Sequence, residues 1–165
     1  MSEPDSRLSE QARECAEGLL QSGLQLVVAE SCTGGWLAKV LTDLPGSSQW
    51  FDRGYVTYSN LAKQEMLGVS AEILERWGAV SEQTVKAMVS GALGKSGADL
   101  AVAISGIAGP TGGSAEKPVG TVCFAWMMRG RTPVSERRHF QGDREAVRLQ
   151  ATLHALRQLN ELLRS

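Results

Sequence analysis

Apolar positions along the chain follow two periods. Between residues 6 and 22 they fall three and four apart, with Leu8, Ala12, Cys15, Ala16 and Leu19 on one face. That spacing predicts an amphipathic helix, ended by Gly23. The run LQLVVA (24–29) is short and continuous, as in a buried strand. It stops abruptly at ESCTGG (30–35), after which Leu37, Val40 and Leu41 return to helical spacing until LPGSS (44–48) breaks it. GYVTY (54–58) has the β-branched and aromatic character of a strand. Ser59 or Asn60 then caps a helix that runs through Leu67 and closes at Gly68. Ser70 and Ser81 read as further N-caps, the second opening a helix with Val85, Met88, Val89, Ala92 and Leu93 turned inward.

LAVAIS (100–105) is apolar throughout, the pattern of a strand covered on both faces. GIAGPTGGSAEKPVG (106–120) holds too many glycines and prolines for helix or strand and predicts a fixed loop. TVCFAWM (121–127) and VSERRHF (134–140) form an expected antiparallel pair around RGR, and a last helix runs from Asp143 almost to the end. Strands alternating with helices imply an α/β, three-layer sandwich on a mixed, mostly parallel sheet, with a terminal β-hairpin before a long C-terminal helix. No linker or repeat interrupts the 165 residues, so 1–165 is expected to be a single domain.

Composition narrows the partners. A net charge of −1, with Arg and Lys spread along the chain, argues against a surface built for the phosphates of nucleic acid. No apolar run approaches the roughly 20 residues that span a bilayer, and the polar, acidic start is the reverse of a signal peptide. Three cysteines and two histidines, all far apart, give neither a disulfide framework nor a metal-ligand cluster. The expectation is a soluble cytoplasmic protein without a metal or other cofactor, and a homo-oligomer is compatible with it.

In α/β sheets ligands settle at the carboxyl ends of strands. ESCTGG and SGIAGPTGG both follow a buried strand and are the expected pocket. The start of the helix after Gly35 offers unpaired backbone N–H groups at Thr33, Gly34 and Gly35 to a phosphate or an oxyanion. Ser31 and Thr33 can equally be N-caps. Glu30 reads as a base, a ligand for a substrate cation or a buried hydrogen-bond partner. Cys32 shares the helix terminus with Ser31, yet without a histidine partner it reads as a small packing residue. His139, in an apparent edge strand, and His154, among solvent-type neighbours, read as structural or surface residues. Lys63 lies in the first turn of its helix, where the dipole lowers its pKa by less than one unit (about 0.3–1 kcal/mol). A drop of roughly three units is needed for a base at neutral pH, so position alone makes Lys63 a solvated lysine. No nucleotide-binding fingerprint is present in the loop 106–120. Arg144 and Arg148, one helical turn apart, can clamp a phosphate or pair with surface acids.

Several segments together carry a resemblance: the stretch from AESCTGG to LGV (29–69), GAVSEQTV (78–85), AISGIAGPTGGSAEKPVGTVCFAW (103–126) and GDREAVR (142–148). They resemble the C-terminal domain of the competence/damage-inducible protein CinA, whose stand-alone members are nicotinamide-nucleotide amidases of the PncC type. The resemblance covers about residues 8–160. It implies an α/β fold and metal-free deamidation of nicotinamide mononucleotide (NMN) to nicotinic acid mononucleotide and ammonia. Ser31 in ESCTGG is then the nucleophile, with Tyr58 and Lys63 assisting as proton acceptor, directly or in relay. Thr33, Gly34 and Gly35 would serve the oxyanion, and Glu30, Asn60, Ser105 and Gly106 would line the substrate site. Thr111 and Arg144 are candidates for the 5′-phosphate. Long CinA proteins carry a further N-terminal domain, which the residues before 24 are too few to form. A non-catalytic nucleotide-binding or sensor module is the alternative reading.

Overall fold

The computed structural model describes residues 2–165. Among them the order of elements is α1 (Glu3–Ser22), β1 (Leu26–Glu30), α2 (Trp36–Thr42), a 3₁₀ turn (Ser47–Gln49), β2 (Phe51–Val56), α3 (Asn60–Leu67), α4 (Ala71–Trp77), α5 (Glu82–Gly94), β3 (Leu100–Gly106), β4 (Thr121–Met128), β5 (Val134–His139) and α6 (Arg144–Arg164). The five strands form one sheet in the order β2-β1-β3-β4-β5. β1 pairs in parallel with both β2 and β3, whereas β4 pairs antiparallel with β3 and with β5. The sheet is mixed as expected, but its parallel and antiparallel pairings are equal in number. The reason is the loop 107–120: it contains no crossover helix, so β3 can only turn back on itself.

Alternation along the central strands divides the core into two layers. Leu26, Val28, Leu100, Val102, Ile104, Val122, Phe124 and Trp126 face α1, α2 and α6. The intervening positions, Val27, Ala29, Ala101, Ala103, Cys123 and Ala125, face α3, α4 and α5. Large side chains thus fill one side, and small ones on the other let α5 lie close to the strands. Trp126 meets the last helix through an Nε1–H bond to the Ala155 carbonyl at 3.3 Å. With both faces covered, the buried strands read as continuous apolar runs, as the sequence suggested.

Several element ends differ from the expected ones. α1 begins at Glu3 because Ser2 and Asp5 form a reciprocal capping box, with Pro4 in the first turn. β1 starts two residues late, since the Leu24 N–H still closes α1 by bonding the Leu19 carbonyl at 3.1 Å. β2 spans 51–56 rather than 54–58; it is an edge strand, and most of its residues are exposed. Tyr58 therefore lies beyond the sheet. His154 is not on the surface: it is 8% exposed, packed edge-on or tilted against the rings of Phe124, Trp126 and Phe140. Its Nε2 lies 3.2 Å from Glu136, and burial pulls its pKa down.

α3 approaches α5 at a glycine. A Cβ placed on Gly91 would sit 1.9 Å from the Leu67 carbonyl oxygen. Alanine in a helix interior ordinarily gains about 1 kcal/mol over glycine. Here the obstacle is backbone, which cannot rotate away, and forced overlaps of this kind cost on the order of 1–3 kcal/mol or more. Gly91→Ala is expected to lower the midpoint of urea unfolding. A midpoint at or above the parent's would mean that α3 can shift off α5 without penalty.

Candidate active site

The chain leaves β1 at Glu30 and turns sharply through Ser31–Gly35 into α2. Gly34 and Gly35 have φ of 59° and 100°, backbone that other residues rarely adopt. The Glu30 carboxylate, 1% exposed, folds back under this turn. It accepts bonds from the Thr33 hydroxyl at 2.6 Å and from the N–H groups of Gly35, Leu37 and Ala38 at 3.0–3.2 Å. Neither Ser31 nor Thr33 caps α2; its N-cap is Gly35, and Glu30 does the capping from within the core. A carboxylate beside the first N–H groups of a helix is stabilised by both hydrogen bonds and the dipole. Glu30 is thus a buried hydrogen-bond partner whose oxygens are turned away from the pocket.

Ser31 stands at the carboxyl end of β1, its N–H bonded to the Ile104 carbonyl of β3 at 2.9 Å. Facing it is Lys63, which with Leu67 forms the buried side of α3. Lys63 is 1% exposed, in contrast to the solvated lysine that its position suggested. Its Nζ lies 3.0 Å from Ser31 Oγ, 2.7 Å from the Thr57 carbonyl and 3.3 Å from the Tyr58 carbonyl. Burial lowers its pKa to about 8. A neutral amine has two N–H donors and one lone pair. The two carbonyls can take both donors, which leaves the lone pair for the Ser31 hydroxyl proton. That proton has a resting acceptor in the Tyr58 carbonyl, 3.4 Å from Ser31 Oγ.

Tyr58 contributes its backbone here rather than its phenol. Its side chain is mostly exposed, and its hydroxyl accepts a bond from Arg144 Nη2 at 2.9 Å. Arg144 Nη1 also donates to the Gly109 carbonyl at 2.8 Å, fastening the glycine-rich loop to the start of α6. Lys117 ties the far part of that loop to the end of α4 through the Trp77 carbonyl at 2.7 Å. Between these elements lies a cavity of about 260 Å³. Ser31, Tyr58, Lys63, Ser105, Gly106, Thr111 and Arg144 all line it, which brings seven sequence-selected residues together. Gly106 is closely packed from behind: a Cβ there would meet Val122 at 2.7 Å and Cys32 Sγ at 3.1 Å.

The others fall elsewhere. Thr33, Gly34 and Gly35 border a neighbouring concavity with Trp36 and Arg148. The Gly34 N–H closes the turn onto the Ser31 carbonyl at 3.0 Å, and the Gly35 N–H belongs to Glu30. Asn60 is exposed at the start of α3, and its carbonyl accepts from Gln64. Cys32 is buried, and its thiol is pushed up to about 12, first by burial and then by the charge of Glu30. The N–H groups of Cys32 and Thr33 donate to no backbone carbonyl among the described residues. Ala79, Val80 and Ala108 also line the cavity; they lie within GAVSEQTV and SGIAGPTGG, but small apolar side chains gave no chemical reason to single them out. Among the described residues no three His, Cys, Asp or Glu side chains cluster to hold a metal, and no helix is long and apolar enough to cross a membrane.

Known proteins share both sequence and shape with this chain. A nicotinamide-nucleotide amidohydrolase PncC of Enterobacter agglomerans is 55% identical over 92% of this chain and 93% of its own. One from Escherichia coli is 54% identical over 94% of each. The crystal structure of the competence/damage-inducible protein CihA from Agrobacterium tumefaciens superposes with a TM-score of 0.92 at 46% identity, covering 96% of both chains. Residues 8–163 match the family described as the CinA C-terminal domain. With the match extending from α1 to the end of α6, the chain belongs to the CinA C-terminal domain family.

Proposed function

We propose that this protein hydrolyses the carboxamide of NMN, giving nicotinic acid mononucleotide and ammonia through a metal-free serine mechanism. The observation that carries the mechanism is Lys63 Nζ, buried and 3.0 Å from Ser31 Oγ at the floor of a cavity. The substrate rests on the relatives named as nicotinamide-nucleotide amidohydrolases at 54–55% identity over nearly the whole chain.

Ser31 Oγ attacks the amide carbon while its proton passes to neutral Lys63, and the carbonyl π electrons move to oxygen. Collapse of the tetrahedral adduct breaks the C–N bond, Lys63 returns the proton to the departing nitrogen, and ammonia leaves. Water then attacks the acyl-serine, with Lys63 taking and returning a proton again. The direct Lys63–Ser31 contact makes a relay through the Tyr58 phenol unnecessary. Tyr58 instead orients Arg144, whose guanidinium at the cavity wall, with Thr111, suits the nucleotide's 5′-phosphate. Ser105 and Gly106 form the floor against which the pyridine ring would lie. Gly34 and Gly35 cannot supply oxyanion donors while their N–H groups are engaged, so that task falls to the amides of Cys32 and Thr33.

Purified protein given NMN in the presence of EDTA should release one ammonia per nicotinic acid mononucleotide. Activity lost on chelation and restored by a divalent ion would overturn the metal-free mechanism. Tight binding of NMN without ammonia would identify a nucleotide-binding module instead of an enzyme.

A further inference from the structure

Arg144 and Arg148 lie one turn apart on α6, yet only Arg144 reaches the cavity. Arg148 turns the other way, to the back of the nucleophile turn. Its Nε donates to the Cys32 carbonyl at 2.9 Å and its Nη2 to the Thr33 carbonyl at 3.2 Å. The guanidinium lies over the Trp36 ring, 5.5 Å from its centre. Trp36 opens α2, so this stacking links α6 to the helix that follows the turn.

A peptide unit is planar and trans, so fixing a carbonyl fixes the next residue's N–H in the opposite direction. Three successive carbonyls of the turn are fixed. Ser31's accepts from Gly34, Cys32's accepts from Arg148, and Thr33's accepts from both Trp36 and Arg148. The two N–H groups oriented by the first pair of these carbonyls belong to Cys32 and Thr33, which have no backbone acceptor among the described residues. Glu30 holds the later amides of the same turn from the core side. The turn is thus held by an acid on its donors and a base on its acceptors.

We infer that Arg148 is a positioning residue that, through the Cys32 carbonyl, aims the Thr33 amide at the developing oxyanion, beside the Cys32 amide that Gly34 holds through the Ser31 carbonyl. The inference rests on the serine mechanism proposed above and concerns a residue that would touch neither substrate nor nucleophile. Donors of this kind lose their effect when displaced by about 1 Å, at a cost on the order of 10²-fold in rate.

The test uses a fluorophosphonate, which forms an Oγ–P bond with loss of fluoride while Lys63 accepts the Ser31 proton. It reads the nucleophile and its oxyanion donors without NMN. Arg148→Met keeps an apolar stem on Trp36 but removes both donors. Labelling at Ser31 should fall about 10²-fold, with the acid limb of the rate–pH profile where the parent has it. The kcat for NMN should fall alongside, with KM within about threefold. Parent-like labelling overturns the inference. So does a limb displaced to higher pH in proportion to the lost rate, because that reports water reaching Lys63. Should Arg148→Met not fold, Arg148→Lys decides: one ammonium cannot span both carbonyls, so labelling should fall at least about tenfold. A parent rate in that variant overturns the inference. A parent chain unlabelled at Ser31 removes the nucleophile and this role with it. A parent labelled at Ser31 that releases no ammonia from NMN overturns the deamidation alone, and the labelling ratio still decides on Arg148.

Discussion

Ser31→Ala should abolish ammonia release from NMN, a loss on the order of 10⁴-fold or more, while Cys32→Ala keeps most of the parent's activity. The two residues are adjacent and both border the cavity. They differ in what surrounds their side chains. Ser31 Oγ is within hydrogen-bond reach of Lys63, whereas the buried Cys32 thiol, pushed up to about 12, is protonated at any ordinary assay pH. A thiol nucleophile acts as its thiolate, so Cys32 is inert where Ser31 is poised. Neither change should disturb the fold, since alanine is smaller than both residues and Ser31 Oγ makes only one long backbone contact, 3.4 Å to the Tyr58 carbonyl. Ammonia release and unfolding midpoints for the two variants check this. An active Ser31→Ala beside an inactive Cys32→Ala would transfer the chemistry to sulfur.

Lys63→Arg should lower kcat by about 10²–10⁴-fold, the usual cost of losing a general base. Arginine keeps the charge, but its pKa above about 12 prevents it from accepting the serine proton. The parent's kcat should climb as pH rises towards about 8, where Lys63 loses its proton, and this limb should vanish in the variant. A variant with the parent's kcat and limb but a raised KM would make Lys63 a phosphate ligand. The burial that tunes the amine also acts on the fold. The folded pKa of about 8 lies below the 10.5 of a free lysine, so at neutral pH the folded state holds a proton that it binds less well than the unfolded chain does. The penalty, about 3 kcal/mol, is fully present below pH 8 and is relieved as pH rises from 8 to 10.5. Mechanism and stability therefore pull in opposite directions at this residue.

Periodicity and turn residues were enough to place the helices, the strands and the pocket at ESCTGG and SGIAGPTGG, because burial of one face imposes its spacing directly. Lys63 could not be read that way. Whether a lysine on a helix is wet or dry depends on what covers it, and here its partners are Ser31, just beyond β1, and the chain at Thr57–Tyr58. The same holds for His154, which looks solvated among its neighbours in sequence but is enclosed by Phe124, Trp126 and Phe140. Glu30 illustrates a third limit. Sequence shows an acid at the end of a strand, but only the fold shows that its oxygens cap the following helix. Arg148 was visible as a charge one turn from Arg144; which carbonyls it would meet depended on how α6 crosses α2.

Ser31 and Lys63 are 32 residues apart, within the single run from β1 to α3. Two other groups of the cavity wall, Thr111 and Arg144, come from the distant loop and from α6. On the proposed mechanism, bond cleavage and ligand selection would thus be encoded in separate stretches of chain. Insertions or substitutions at 109–113 can reshape what enters without altering the geometry of the two reacting side chains. In this architecture a change of substrate is a matter of exchanging a loop, with the proton chemistry inherited intact.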